Sequence, residues 1–213
     1  MEFNMAYFRV ISDVHGKFDK YISIAKQAEY TIQIGDMGFT YDALNKLDHE
    51  KHRVLAGNHD NYHCVDDKFI FQTPHFLGDF GTYKIPNYEV FFVRGADSID
   101  KKYRKIGINW FEKEELSYQQ CLAALELYKN IKPDFVISHE CPTSIIDFVG
   151  LKYWNQQIIL PSNTAKLLQE MLDFHRPKLW IFGHHHKNFT KVIDGTKFEC
   201  REELGYIDFE EIK

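Results

Sequence analysis

Apolar runs of strand length alternate with segments of helical periodicity in the first part of the chain. Residues 7–12 form a β-branched and aromatic run that stops at Asp13, the pattern of a buried strand opening into a loop. Tyr21, Ile22, Ala25 and Ala28 then recur at helical spacing within residues 18–29, and a second apolar run over 31–34 stops at Gly35 and Asp36. The rhythm continues with a helix predicted over 41–50 and a strand over 53–56 that stops at Gly57 and Asn58. Alternation of this kind predicts parallel strands joined by crossover helices, and such sheets bind ligands beyond the carboxyl ends of their strands.

The middle of the chain changes character. Residues 75–85 and 88–93 are aromatic-rich strand candidates separated by Pro86 and Asn87, which reads as a hairpin opening a second sheet. An irregular stretch over 96–115 is expected to lie over the site as a surface loop. Ser117 and Gln120 form a capping box for a helix reaching about residue 130, and Ser162 caps a helix that Pro177 stops after about residue 175. Strands are predicted over 135–138, ending in His139, and over 179–182, ending in Gly183 and His184. Asp194 and Gly195 between residues 189–193 and 197–202 signal a tight hairpin, and 206–209 is a final strand.

These elements place chemistry at their ends. Five strand ends deliver Asp13 with His15, Asp36, Asn58 with His59, His139, and His184 with His186. All are metal-ligand or acid/base residue types. Residues two apart in an extended segment point the same way, so Asp13 and His15 are expected to share one ion, as are His184 and His186, while His185 points away. Carboxylate, amide oxygen and imidazole together suit Mn²⁺, Fe²⁺, Ni²⁺ or Zn²⁺ better than Ca²⁺ or a thiolate site. His49, His52, His63, His75 and His175 read as ordinary surface or core histidines, and Cys141, two residues beyond His139, as a buried thiol.

Composition narrows the partners. The chain has 213 residues, enough for one α/β domain over 1–213 with a substantial core. Its 26 basic and 31 acidic side chains leave a net charge of −5 without a basic stripe, which disfavours nucleic acid as a partner. Cys64, Cys121, Cys141 and Cys200 form no CxxC pair and read as reduced thiols. Nothing near Met1 resembles a signal peptide and the apolar runs are strand-sized, so the expectation is a cytoplasmic protein with no membrane anchor. The 12 Tyr and 18 Phe fit a core or an interface equally, and no oligomeric state is assigned.

Taken in order, Asp13-Val14-His15-Gly16, Gly35-Asp36, Gly57-Asn58-His59-Asp60, His139 and Gly183-His184-His185-His186 resemble the motif series of the calcineurin-like metallophosphoesterases, spanning residues 13 to 186. The resemblance implies a four-layer α/β/β/α sandwich of two mixed sheets with two divalent metal ions at one edge, Mn²⁺ foremost. It places one ion on Asp13, His15, Asp36 and His186 and the other on Asp36, Asn58, His139 and His184, with Asp36 bridging. The implied reaction is hydrolysis of a phosphodiester or phosphomonoester by a hydroxide that the two ions activate. His59 is then the group assisting the leaving oxygen, with Asp60 orienting its imidazole.

Arg94, at the end of the strand over 88–93, is expected either to bind a substrate phosphate or to pair with an acid such as Asp97 or Asp100. Tyr103, Arg104, Trp110 and Phe111 fall in the covering loop, where the aromatics either stack on a base or pack the loop down. Asp36-Met37-Gly38-Phe39 departs from the Asp-Arg-Gly of the protein serine/threonine phosphatases, so the resemblance is to small prokaryotic or phage-type enzymes acting on small phosphorylated molecules or nucleotides. A phosphoprotein phosphatase, a nuclease and a non-catalytic protein-binding scaffold are the alternatives within the same superfamily.

Overall fold

Two β-sheets carry the strand ends to one edge of the molecule. The computed structural model describes residues 6–62, 73–149, 153–154, 157–158 and 160–210. In chain order the elements are β1 (Ala6–Ile11), α1 (Phe18–Ala25), β2 (Ala28–Ile34), β3 (His52–Leu55), β4 (Phe80–Ile85) and β5 (Tyr88–Val93). They continue with α2 (Tyr118–Ile131), β6 (Phe135–Ser138), α3 (Thr143–Val149), β7 (Tyr153–Trp154), β8 (Gln157–Ile158), α4 (Asn163–Phe174) and β9 (Leu179–Phe182). The chain closes on β10 (Phe189–Ile193), β11 (Thr196–Cys200) and β12 (Tyr206–Phe209).

One sheet has the order β12-β1-β2-β3 and the other β10-β11-β9-β6-β5-β4, while β7 and β8 form a separate pair. Both large sheets are mixed: β1, β2 and β3 run parallel with β12 antiparallel on the edge, and β5, β6, β9 and β11 run parallel between antiparallel β4 and β10.

Alternation along the strands sorts side chains into layers. Phe8, Val10, Ile32 and Ile34 of the first sheet pack against Val90, Phe92, Ile137 and Ile181 of the second, forming the core between them. Ile11 and Val54 face outward onto Tyr21, Ile22 and Ala25 of α1. On the far side Phe91, Val136, Trp180 and Phe182 pack against Leu125 and Tyr128 of α2, Ile145 of α3 and Leu168 and Met171 of α4. The layers are therefore α/β/β/α, as the sequence resemblance implies. Each large apolar side chain so buried contributes about 1.5–3 kcal/mol.

Local signals hold where short-range chemistry decides. Ser117 and Gln120 form the reciprocal capping box of α2, and the Ser162 side chain accepts from Ala165 N of α4 at 2.9 Å. Asp194 and Gly195 both have positive φ, 47° and 87°, as a two-residue hairpin turn with the right twist requires.

Several boundaries differ from expectation. The first helix ends at Ala25 rather than 29, because Ala28 pairs with Ala6 in β2. An alanine satisfies either period, and strand pairing decides. The helix expected over 41–50 is a short 3-10 turn, Asp42–Lys46, in which Leu44 and nearby Leu47 are buried three residues apart. The run over 75–85 is split: Phe76 bridges to Val54 beside the first sheet, and only Phe80–Ile85 joins the second. The strand expected over 197–202 is β11, which ends at Cys200.

Candidate metal centre

The chain leaves β1, β2, β3, β6 and β9 at one edge, and the loops that follow are stitched together. Val14 N and His15 N donate to Asp36 O at 3.0 and 2.9 Å, and Gly183 N donates to His139 O at 3.1 Å. The two sheets are joined there: His184 N donates to Asp13 Oδ1 at 3.1 Å, and His139 Nδ1 meets Ile34 O at 2.9 Å. That carbonyl accepts the hydrogen bond from Nδ1–H, which turns Nε2 toward Asp36 and Asn58. His15, Asp36, His184 and His186 all have positive φ (46°, 57°, 66° and 51°), a conformation costly for residues other than glycine and retained where surrounding structure imposes it.

Asp13, His15, Asp36 and His186 offer donor atoms that converge within 4.8 Å of one another, and Asp36, His139 and His184 do so beside them. Asn58 joins the second group with its Oδ1 3.1 Å from His139 Nε2. In the first group His15 Nε2 lies 2.9 Å from His186 Nε2 and 3.6 Å from Asp36 Oδ2, and His186 Nε2 is 3.6 Å from Asp13 Oδ1. Asp36 Oδ1 is 3.1 Å from His139 Nε2 in the second.

His184 and His186 thus fall in different groups, contrary to the expectation from strand alternation. The positive φ of both residues takes this segment out of the extended conformation on which that argument depends. His185 is turned from both groups toward Glu140 Oε1 at 2.8 Å. Glu140 Oε2 lies 3.5 Å from His184 Nε2, so one buried carboxylate braces both rings.

Asp13 and Asp36 are almost fully buried. Burial alone would raise their pKa values, but His139 and, for Asp13, its hydrogen bond with His186 hold both carboxyls below the usual range. Burial pushes the His139 ring down while Asp36 pushes it up more strongly, to about 10. Burial lowers His184 to about 4, leaving it a neutral donor at pH 7. Two buried carboxylates need positive charge beside them, and a pair of divalent cations suits this donor set of two carboxylates, four imidazoles and an amide oxygen.

His59 stands beside the cluster. Its N–H donates to Asp36 Oδ1 at 2.7 Å, and its ring meets that of His15 edge-on with centroids 4.8 Å apart. Burial lowers its pKa, and its Nε2 lies 2.5 Å from Arg104 Nη2. Asp60 does not orient this imidazole. It accepts instead from Gly57 N at 2.7 Å, Asp36 N at 3.1 Å and Tyr41 OH at 3.2 Å, tying the loops after β2 and β3 together. Burial and then Asp36 push the Asp60 carboxyl up to about 7.

The structure does not bring Arg94 to the cleft. Its guanidinium is buried against Asp79 Oδ1 at 2.6 Å, Lys113 O at 2.9 Å and Tyr62 OH at 3.3 Å, so its ion pair is with neither Asp97 nor Asp100. Phe111 packs into the α1-side core, while Tyr103 is exposed. Cys121, Cys141 and Cys200 are free thiols. Burial raises Cys141 well above the ordinary thiol value. Cys64 and His63 lie outside the described residues.

Ser98 and Glu114 complete the surroundings. Asn58 Nδ2 donates to Ser98 Oγ at 3.0 Å, which turns the amide oxygen toward His139, and Ser98 Oγ donates to Glu114 Oε2 at 2.9 Å. Glu114 Oε1 also accepts from Ser98 N at 2.6 Å and Trp110 Nε1 at 3.1 Å. A polar pair sixteen residues apart in an irregular stretch carries no local signal.

Burial pushes the Glu114 carboxyl from 4.5 up to about 7 despite the Ser98 bonds. The folded protein therefore holds this proton more tightly than the unfolded chain. The resulting stability is complete below pH 4.5 and is lost as pH rises through about 7. Glu114→Gln is expected to flatten the fall in Tm across that window, and equal slopes for the two proteins in a thermal denaturation series would refute this.

The family model described as calcineurin-like phosphoesterase matches residues 7–188. No curated protein matches in sequence. Among solved structures, a phosphopantetheinyl hydrolase from Mycobacterium tuberculosis superposes with a TM-score of 0.57 at 14% identity, covering 94% of this chain and 91% of that one. A putative 5'-nucleotidase from Staphylococcus aureus gives 0.53 at 12% identity over 93% of this chain and 48% of that one. A dimetal phosphatase from Danio rerio gives 0.50 at 13% identity over 94% and 88%. At such identities these likenesses speak to the fold.

Proposed function

This chain belongs to the calcineurin-like phosphoesterase family, which makes it a metal-dependent phosphoesterase, and from that premise we propose that it is a dinuclear hydrolase of small phosphomonoesters or phosphodiesters, nucleotides included. The observation that carries the reading is the position of Asp36, whose carboxylate belongs to both converging donor groups. Asp13, His15, Asp36 and His186 would hold one ion, and Asp36, Asn58, His139 and His184 the other. Mn²⁺ is the first choice, and Fe²⁺, Ni²⁺ or Zn²⁺ suit the same donors. Bound there, two divalent ions supply Lewis-acid neutralisation of the phosphoryl oxygens and a water of lowered pKa.

The chain's own groups do the rest. Ile34 O and Glu140 fix the His139 and His184 rings, and Ser98 fixes the Asn58 amide. His59, held by its backbone N–H on Asp36 and lining the cleft, is placed to assist the departing oxygen.

The test is Mn²⁺-dependent release of nitrophenol from mono- and bis-nitrophenyl phosphate, with metal content measured alongside. Wild type is expected to turn over at least one ester, to lose activity to a chelator, and to drop about 10²–10⁴-fold on His59→Ala. Two bound ions with turnover of neither ester would favour a protein-binding scaffold. A phosphoprotein phosphatase or nuclease would show itself by preferring a phosphopeptide or an oligonucleotide in the same assay.

A further inference from the structure

The cleft over the donor cluster is lined by two unlike kinds of side chain. It measures about 240 Å³, below the roughly 300 Å³ lower end for drug-sized ligands, so it suits a small molecule. Arg104 is the sole Lys or Arg among the described residues lining it. Ile99, Ile146, Leu160 and Pro161 line the same cleft. Ile99 and Leu160 are 42% and 80% exposed, so two large apolar side chains are left in water at the mouth of a polar site. Apolar surface retained beside a cleft is the usual mark of a binding wall.

The Arg104 side chain is only 7% exposed and rigidly set. It pairs with Asp100 Oδ1 at 2.6 Å, donates from Nη1 to Asn109 O at 3.3 Å and contacts His59 Nε2 from Nη2 at 2.5 Å. Those bonds leave one N–H on each terminal nitrogen, beside a histidine that itself adjoins Asp36. A fork of this kind suits phosphoryl oxygens, and its shielding from bulk water strengthens the attraction. A second phosphate would find no cation of its own. Asp97 is engaged by Lys101 at 2.9 Å and Asp100 by Arg104, and the carboxylates of Asp97, Asp100 and Glu140 that line the cleft would repel it.

Resting on the phosphoester reading above, we propose that Arg104 clamps a single phosphoryl group against the metal cluster while Ile99, Ile146, Leu160 and Pro161 hold an apolar substituent. The substrate class is then a small phosphoester with one phosphoryl group and an apolar organic portion. Arg104 takes the part that sequence reading assigned to Arg94.

Phosphonates separate binding from turnover, because their carbon–phosphorus bond is not hydrolysed by this chemistry. Calorimetric titration of the metal-loaded full chain is made with phenylphosphonate, methylphosphonate and 4-carboxyphenylphosphonate. Phenylphosphonate is expected to bind about tenfold more tightly than the methyl compound, and the added carboxylate to abolish that advantage. Arg104→Ala is expected to weaken both uncharged-substituent phosphonates about tenfold or more, Arg104→Lys to recover part of the loss, and Leu160→Ser to narrow the phenyl-to-methyl ratio.

Equal affinities for the three compounds on wild type would overturn the proposal without recourse to any variant, as would unchanged affinities in folded Arg104→Ala. Phosphonates that bind in this order to a protein hydrolysing no ester would leave the site standing and remove the hydrolase reading. Ester hydrolysis without this order of binding would do the reverse.

Discussion

Asp36→Asn is expected to lower ester turnover by about 10³-fold or more and to strip metal from both donor groups. The substitution isolates charge from shape. Asparagine is among the few residues that tolerate a φ of 57°, and its amide oxygen can still accept from His59 N, as Asp36 Oδ1 does at 2.7 Å. What disappears is the negative charge that His139 stabilises and the second anionic oxygen that faces His15 at 3.6 Å. Because the residue serves both groups, its loss should not resemble the loss of a ligand to one ion. Metal analysis of the purified variant, with circular dichroism to show that the fold persists, checks this. Retention of both ions in a folded Asp36→Asn protein would remove Asp36 from the bridging position.

Gly57→Ala is expected to damage the site nearly as much, although glycine contributes no ligand atom. A Cβ there would stand 2.2 Å from Asp36 Oδ1, 2.5 Å from Asp36 N and 2.6 Å from His139 Nε2. None of these atoms can withdraw cheaply, since Asp36 N is bonded to Asp60 and His139 is locked between Ile34 O and Asp36. Overpacking of a rigid site costs about 1–3 kcal/mol, and here the displacement falls on the carboxylate common to both donor groups. The expected result is a lower Tm together with loss of metal. Gly195→Ala provides the contrast: nothing lies within 4 Å of that Cβ, so its penalty is confined to the positive φ of the hairpin turn, about 1 kcal/mol, with metal content intact. Equal metal content in the two variants would mean that the loop after β3 is pliant and that close approach at Gly57 does not shape the centre.

Both predictions concern residues whose importance was visible in different measure from the chain alone. Asp13, Asp36, Asn58, His139 and His184 were legible because each follows an apolar run of strand length, and before Asp36, Asn58 and His184 a glycine adds a second local signal. The α2 capping box, the Ser162 cap of α4 and the Asp194-Gly195 hairpin belong with them, since turn and cap chemistry operates over a few residues at a time, whereas the α/β/β/α layering was implied by the family resemblance of the motif series.

Tertiary structure decided the rest. Division of His184 and His186 between the two groups follows from left-handed backbone that long-range hydrogen bonds impose, including His184 N on Asp13, 171 residues away. Arg94 and Arg104 lie ten positions apart with equal claims by composition, yet Asp79 captures one in the interior while Asp100 holds the other at the cleft. Ser98 and Glu114 became significant only when their loop folded against Asn58. Ala28 could continue a helix or begin a strand until Ala6 claimed it. A single sequence thus determined which residue types stand at the strand ends, because that depends on local pattern. Which of them meet, and which neighbour holds each one, depended on contacts between segments far apart in the chain, whose geometry the packing of the two sheets sets.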